Sequence, residues 1–191
     1  MSDKPNVTIR RARLADIPAI ASLHNESWAN TYRGLVPDSF LDNLRYEDRV
    51  RRWEERFTDP AQEEFIYVAQ DAAGKIVGFS SGGPERTEHP LYRGELRTLH
   101  VSPAYHSQGI GRRLTSAVAG RLASMGMDSM LLWVLAGNPA CGFYEALGGQ
   151  KIDERREEVP GGFVDEIAYG WADTRSLIIN DAALDDLTDH E

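Results

Sequence analysis

Apolar and polar residues alternate over residues 7–12 (Val-Thr-Ile-Arg-Arg-Ala), the two-residue period of a strand with one buried face. The period then lengthens. Asp16 followed by Pro18 reads as a capped helix start, with Ile17, Ile20, Leu23 and Ser27 on the inner stripe as the helix runs toward Trp28. Gly34 and Pro37 break the chain before a second helical stretch over residues 38–44. Residues 45–57 are highly charged yet keep Val50, Trp53 and Phe57 at helical spacing, which predicts a surface helix with one buried edge. From Glu64 the strand period returns. Strands over 65–69 and 75–81 flank Asp71-Ala72-Ala73-Gly74, a hairpin turn, and Gly82-Gly83-Pro84 ends the second of them. A strand over 94–101, a loop over 103–109 and a helix over 110–125 follow, the helix carrying Leu114, Ala117, Val118, Arg121 and Leu122 along one side. Residues 129–135 are an apolar run, read as a strand buried on both faces. Asn138-Pro139 opens a short helix to Leu147 that Gly148-Gly149 stops, and strands 150–159 and 163–171 close as a hairpin through Pro160-Gly161-Gly162.

Composition adds bounds to this pattern. The chain has 191 residues, 41% of them hydrophobic, and no Pro- or Ser-rich linker, so residues 1–171 read as one domain. Its 21 basic and 30 acidic side chains give a net charge of −9, which argues against a large basic surface for nucleic acid or for an anionic membrane. Residues 172–191 form an acidic C-terminal extension, in which six acidic side chains face the single Arg175 from position 173 onward; Leu177, Leu184 and Leu187 give it a weak helical stripe. No apolar run approaches the roughly 20 residues that span a bilayer, and the first residues lack a signal-like stretch, so the expected location is cytoplasmic. Cys141 stands alone, so no internal disulfide forms. The histidines at 24, 89, 100, 106 and 190 show no ligand spacing, and no metal is expected.

The most informative segment runs from Leu99 to Leu114, where a strand gives way to a loop with Gly109 and Gly111 at the mouth of a helix. The first turn of a helix leaves N–H groups without intrahelical partners, and glycines let an anion approach them, so the pair makes a cradle suited to a diphosphate. Arg112 and Arg113 place two cations there, against the preference of a helix start for negative charge, which points to an anionic ligand. A dinucleotide fingerprint would need a third glycine and alternating β/α units, and a Walker loop would need Gly-Lys-Ser/Thr; the chain has neither.

With these elements around it, His106-Ser107-Gln108-Gly109-Ile110-Gly111 after Val101 resembles the Gln/Arg-x-x-Gly-x-Gly/Ala loop of the GNAT superfamily of acyl-CoA-dependent N-acyltransferases. His106 departs from that pattern. Asn138-Pro139-Ala140-Cys141-Gly142-Phe143-Tyr144 through Gly149 resembles the family's Asn…Phe-Tyr-x-x-x-Gly segment, and the likeness covers roughly residues 7–171. It implies an α/β (α+β) fold: a mixed, mostly antiparallel seven-stranded sheet with helices on both faces, splayed between the fourth and fifth strands. It further implies acetyl-CoA as co-substrate, with pantetheine between the splayed strands near Leu99, His100 and Val101 and the diphosphate on His106, Ser107, Gln108, Gly109, Ile110, Gly111 and Arg112. Asn138 and Tyr144 would complete the cofactor side.

The expected reaction is transfer of the acetyl group to a primary amine of a small molecule or peptide by direct attack in a ternary complex; a non-catalytic acyl-CoA-binding module is the alternative. Glu95 is the candidate base, expected to share a strand face with Arg97 and Leu99, or else to pair with Arg97 or Arg93 at a strand edge. Tyr144 is the candidate acid for the departing thiolate, or a packing aromatic like Phe143. His100 is a second candidate base, and Cys141 a nucleophile only if a partner histidine lies near. Trp28 and Tyr32 match the region from which the family builds its acceptor pocket. The partners expected are acetyl-CoA and an amine, with no nucleic acid and no membrane, and with a homodimer left open.

Overall fold

A computed structural model describes residues 6–179. The alternation at the start forms β1 (Thr8–Arg11), antiparallel to β2 (Phe65–Gln70), which the Asp71 turn joins to β3 (Ile76–Pro84). Asp71 Oδ1 accepts the N–H groups of Ala73 and Lys75 at 3.0 and 2.9 Å, the local bond that favours a turn over continued strand. β4 (Gly94–Val101), β5 (Met130–Leu135), β6 (Gln150–Val159) and β7 (Gly162–Trp171) complete a seven-stranded sheet of order β1-β2-β3-β4-β5-β7-β6. Every neighbouring pair is antiparallel except β4 and β5.

Helices cover both faces. On one, α1 (Ile17–Thr31) and α3 (Tyr46–Thr58) bury Ile17, Ile20, Ala21 and Trp53 against Val68 and Phe79, with α2 (Asp38–Asp42) between them in sequence. On the other, α4 (Ile110–Ser124) buries Leu114, Val118 and Leu122 against Val77, Leu96 and Met130, and α5 (Ala140–Ala146) adds Tyr144 to that core. Among the described residues no helix is long and apolar enough to cross a membrane.

Three local expectations are corrected. Gly82-Gly83-Pro84 does not end its strand but continues it, pairing with Leu96, Glu95 and Gly94 of β4. The reason is packing: a Cβ at Gly82 would lie 2.5 Å from Val118 Cγ1, so glycine is what lets α4 close onto the sheet. Asp16 does not cap α1. It belongs to a 3-10 turn (Leu14–Asp16), where its carboxylate accepts Arg13 N at 2.8 Å and the Arg10 guanidinium at 2.8 and 2.9 Å. The second helix stops at Asp42 rather than 44. Beyond Trp171 the chain makes a 3-10 turn (Thr174–Leu177) against α4, with Leu177 buried and Ile179 N donating to Ser116 Oγ at 2.9 Å. The rest of the acidic extension, with Leu184 and Leu187, lies outside the described residues.

Candidate active site

β4 and β5 pair at only two positions, Gly94 with Met130 and Glu95 with Leu131. Beyond them the strands part, so the backbone groups on the facing edges of β4 and β5 have no ladder partner. The gap opens into a cavity of about 920 Å³ floored by Leu96, Leu99 and Leu132, which reaches from the Gly109 loop to the C-terminal end of α1.

At one end stands the glycine loop. Gly109 has φ +80° and Ser107 φ +60°, two left-handed residues that fold the chain tightly ahead of α4, and the Arg113 N–H to Gly109 carbonyl bond is the helix's first turn. The N–H groups of Ile110, Gly111 and Arg112 therefore sit at the helix start, where intrahelical acceptors run out. His106, which departs from the family pattern, bonds through Nε2 to the Val101 carbonyl at 2.8 Å and so ties the loop to the end of β4. Gln108 Nε2 donates to Ala104 O at 3.2 Å and does not line the cavity. The two arginines part company. Arg112 is exposed and lines the cavity, whereas Arg113 turns away and donates to the Val7 carbonyl at 2.7 Å.

Asn138 Oδ1 accepts Ala140 N at 2.8 Å, opening α5. α5 then presents Tyr144, 7% exposed, to the cavity. Burial, with Tyr32 and Cys141 nearby, raises its phenol well above the ordinary tyrosine value, so it stays protonated. Cys141 lies aside, its Sγ 3.9 Å from the Leu135 carbonyl, and does not line the cavity.

Glu95 does not share a face with Leu99. β4 carries a bulge where Ser81 pairs with Thr98 but Gly82 pairs with Leu96, so Arg97 is an extra residue and the facing reverses across it. Leu96 and Leu99 join the core under α4, while Thr98 bonds to Ser81 Oγ and His100 packs on Phe79 beneath α1. Arg97 is within electrostatic reach of Glu95, but the bidentate partner is Arg86, and the site is not at a sheet edge. The Glu95 carboxylate, 4% exposed, is gripped by Arg86 Nε and Nη2 at 2.8 and 2.7 Å in the middle of the sheet, and it does not line the cavity.

Sequence reasoning named His100 but missed the polar cluster it joins on the α1 side of the cavity. Ser27 Oγ lies 2.8 Å from His100 Nδ1, the His100 ring lies 4.7 Å from that of His24, and Trp53 Nε1 donates to His24 Nδ1 at 3.2 Å. Ser27, His24 and His100 all line the cavity. Burial lowers His24 well below the usual histidine value and His100 to about 3, with Arg49 adding repulsion to both. The signals in the sequence were His100, a candidate base, and Ser27, a serine on an otherwise apolar helical stripe. Beside this cluster, Trp28 stacks on Tyr32 with ring centres 4.4 Å apart, and Phe40 closes on Trp28 at 5.5 Å. Among the described residues no group of three or more His, Cys, Asp or Glu side chains is placed to hold a metal ion.

A split sheet with a glycine loop at one end of the gap agrees with what the chain is similar to. Residues 20–149 match the model of the Acetyltransferase (GNAT) family. The chain is 36% identical over 171 residues to the uncharacterized N-acetyltransferase YuaI of Bacillus subtilis, covering 90% of this chain and 96% of that one. It is 29% identical to an L-methionine sulfoximine/L-methionine sulfone acetyltransferase of Pseudomonas aeruginosa, over 75% of this chain and 80% of the relative. Among solved structures, a GNAT superfamily phosphinothricin acetyltransferase of Sinorhizobium meliloti in complex with AcCoA superposes with a TM-score of 0.63 at 22% identity, covering 86% of this chain and 87% of the other. The chain thus belongs to the Acetyltransferase (GNAT) family and is an acyltransferase.

Proposed function

We propose that this acyltransferase moves the acetyl group of acetyl-CoA to an amine by direct attack, donor and acceptor meeting in the gap between β4 and β5. The observation that carries the reading is the fork itself. After two paired positions it leaves a strand edge free, in a cavity lined by the start of α4, by Tyr144, and by Ser27 and His100. The residues present fit such a donor. Pantetheine is an extended amide chain, and the open edges of β4 and β5 near Leu99 and Val101 supply the donors and acceptors that an added strand would use. The diphosphate fits the Ser107 to Arg112 turn, where N–H groups and the Arg112 guanidinium converge.

Acetyl-CoA supplies an activated thioester carbonyl. The protein's part is to orient that carbonyl, admit the amine in neutral form and stabilise the leaving sulfur. As the C–N bond forms and the C–S bond breaks, Tyr144, held as a phenol, gives its proton to the departing sulfur and regains one from the nitrogen that becomes the amide, so amide and free thiol leave with protons balanced. Glu95, outside the cavity and bound to Arg86, keeps β4 and the 85–93 loop in place. Cys141, directed at the Leu135 carbonyl, takes no acetyl group, which is why direct transfer is preferred to a covalent relay.

Gly109→Val tests the donor site. A β-branched residue is strained at φ +80°, so calorimetry should show acetyl-CoA affinity reduced at least tenfold while circular dichroism is retained. Wild-type affinity would overturn the placement. Thiol release over a panel of amines tests the activity: acetyl-CoA binding without amine-dependent release would leave a binding module in place of an enzyme.

A further inference from the structure

The acceptor half of the cavity has an unusual charge content for a site that handles amines. Among the described residues lining it, Glu166 is the only carboxylate, and its Oε2 already accepts Arg155 Nε and Nη2, both at 2.7 Å. The positive groups are better represented. Arg97 lines the cavity, and Arg49 lies 5.5 Å from the Trp28 ring centre with its Nη2 buried and without a hydrogen-bond partner. The remaining wall is aromatic and aliphatic: Trp28, Tyr32, Phe40, Val36 and Val164.

Building on the acetyltransferase reading, we propose that the acceptor is a monoamine on an apolar or aromatic body, its nitrogen received as the uncharged amine by Ser27 Oγ and its body lying on Trp28, Tyr32 and Phe40. With His100 neutral and its proton on Nε2, Ser27 gives its O–H to Nδ1 2.8 Å away and keeps lone pairs for an amine N–H, so the nitrogen's own lone pair is left free for attack. A second ammonium on the acceptor would lose its water against this wall and meet no free carboxylate. The groups facing the pair are His24 from α1, Arg49 and Arg56 from α3, Phe79 from β3 and Arg97 from β4. Glu64, buried before β2, pairs with both Arg56 and Arg97, so of these cations the one left without a carboxylate among the described residues is Arg49, and it and burial together disfavour a protonated amine and hold both imidazoles neutral. Deprotonation is then achieved by selecting the neutral amine, and the proton leaves to solvent before binding.

The test is a comparison of acceptors by thiol release with the full chain. Phenethylamine and isopentylamine should exceed putrescine and spermidine in kcat/KM by at least tenfold. In phenethylamines of graded basicity, the rising limb of log kcat/KM against pH should move with the amine's own pKa. Ser27→Ala should lower kcat/KM for phenethylamine ten- to a hundredfold, and Ser27→Thr should restore most of it, with acetyl-CoA affinity within twofold of wild type in both. Equal or better turnover of the polyamines, a limb that stays fixed across the series, or a fully active Ser27→Ala would each overturn the proposal alone. Turnover of no amine at all would overturn it together with the acetyltransferase reading.

Discussion

Tyr144 and Glu95, the two candidate catalytic groups, sit in different surroundings. The phenol of Tyr144 lines the cavity and stays protonated through burial, so Tyr144→Phe should lower kcat by ten- to a hundredfold and leave acetyl-CoA affinity within twofold, as steady-state kinetics and calorimetry would show. Glu95 faces Arg86 instead. Glu95→Gln should leave the pH profile of kcat unchanged and lower stability by about 1–2 kcal/mol in denaturant titration, a modest figure because the arginine is half exposed to solvent. A collapse of kcat with unchanged stability would restore Glu95 as the base. Tyr144 was legible because its short helix follows an Asn-Pro start and needs no partner far away in sequence. The facing of Glu95 was not, because a bulge is a property of two strands in register and β4 alone carries no mark of it. Likewise Ser27 and His100 are 73 positions apart, and nothing local in either segment announces their meeting.

At the scale of elements, all seven strands and the principal helices were readable from hydrophobic period and turn chemistry, whereas their ends were set by neighbours. β3 continues through two glycines and a proline because it lies between β2 and β4 and under α4, which local propensity does not encode. Gly82 is the position where this matters most. Gly82→Val would force branched carbons into the space of Val118 and should destabilise the protein by about 1–3 kcal/mol in urea titration. Because Gly82 pairs with Leu96 at the bulge, the same change should raise KM for the acceptor. The 3-10 turn (Thr174–Leu177) shows the complementary case: composition marks the segment as an acidic extension, solvated or packed on a partner, and Thr174 and Leu177 are buried against α4 of the same chain.

For the molecule as a whole, the two buried histidines couple the site to stability. Both have lowered values in the fold, His100 to about 3 from 6.5, so below about pH 6.5 the unfolded chain takes up protons that the folded chain refuses. Stability is therefore level above that pH and falls as pH drops toward 3, by up to about 1.4 kcal/mol per pH unit for each histidine. Denaturant titrations of wild type and His100→Gln should converge in acid as the variant loses one histidine's share of the slope; parallel curves would show that His100 is not kept neutral. The fork between β4 and β5 acts at this scale too. With only two paired positions at its root, each arm carries amides that no partner strand protects, so solvent deuterium should enter β4 past Glu95 and β5 past Leu131 faster than it enters the β2–β3 ladder. The same amides should slow when acetyl-CoA is added, and the order in which they do so along each arm would record how the donor threads the gap, from the helix-start turn inward or from the root of the fork outward.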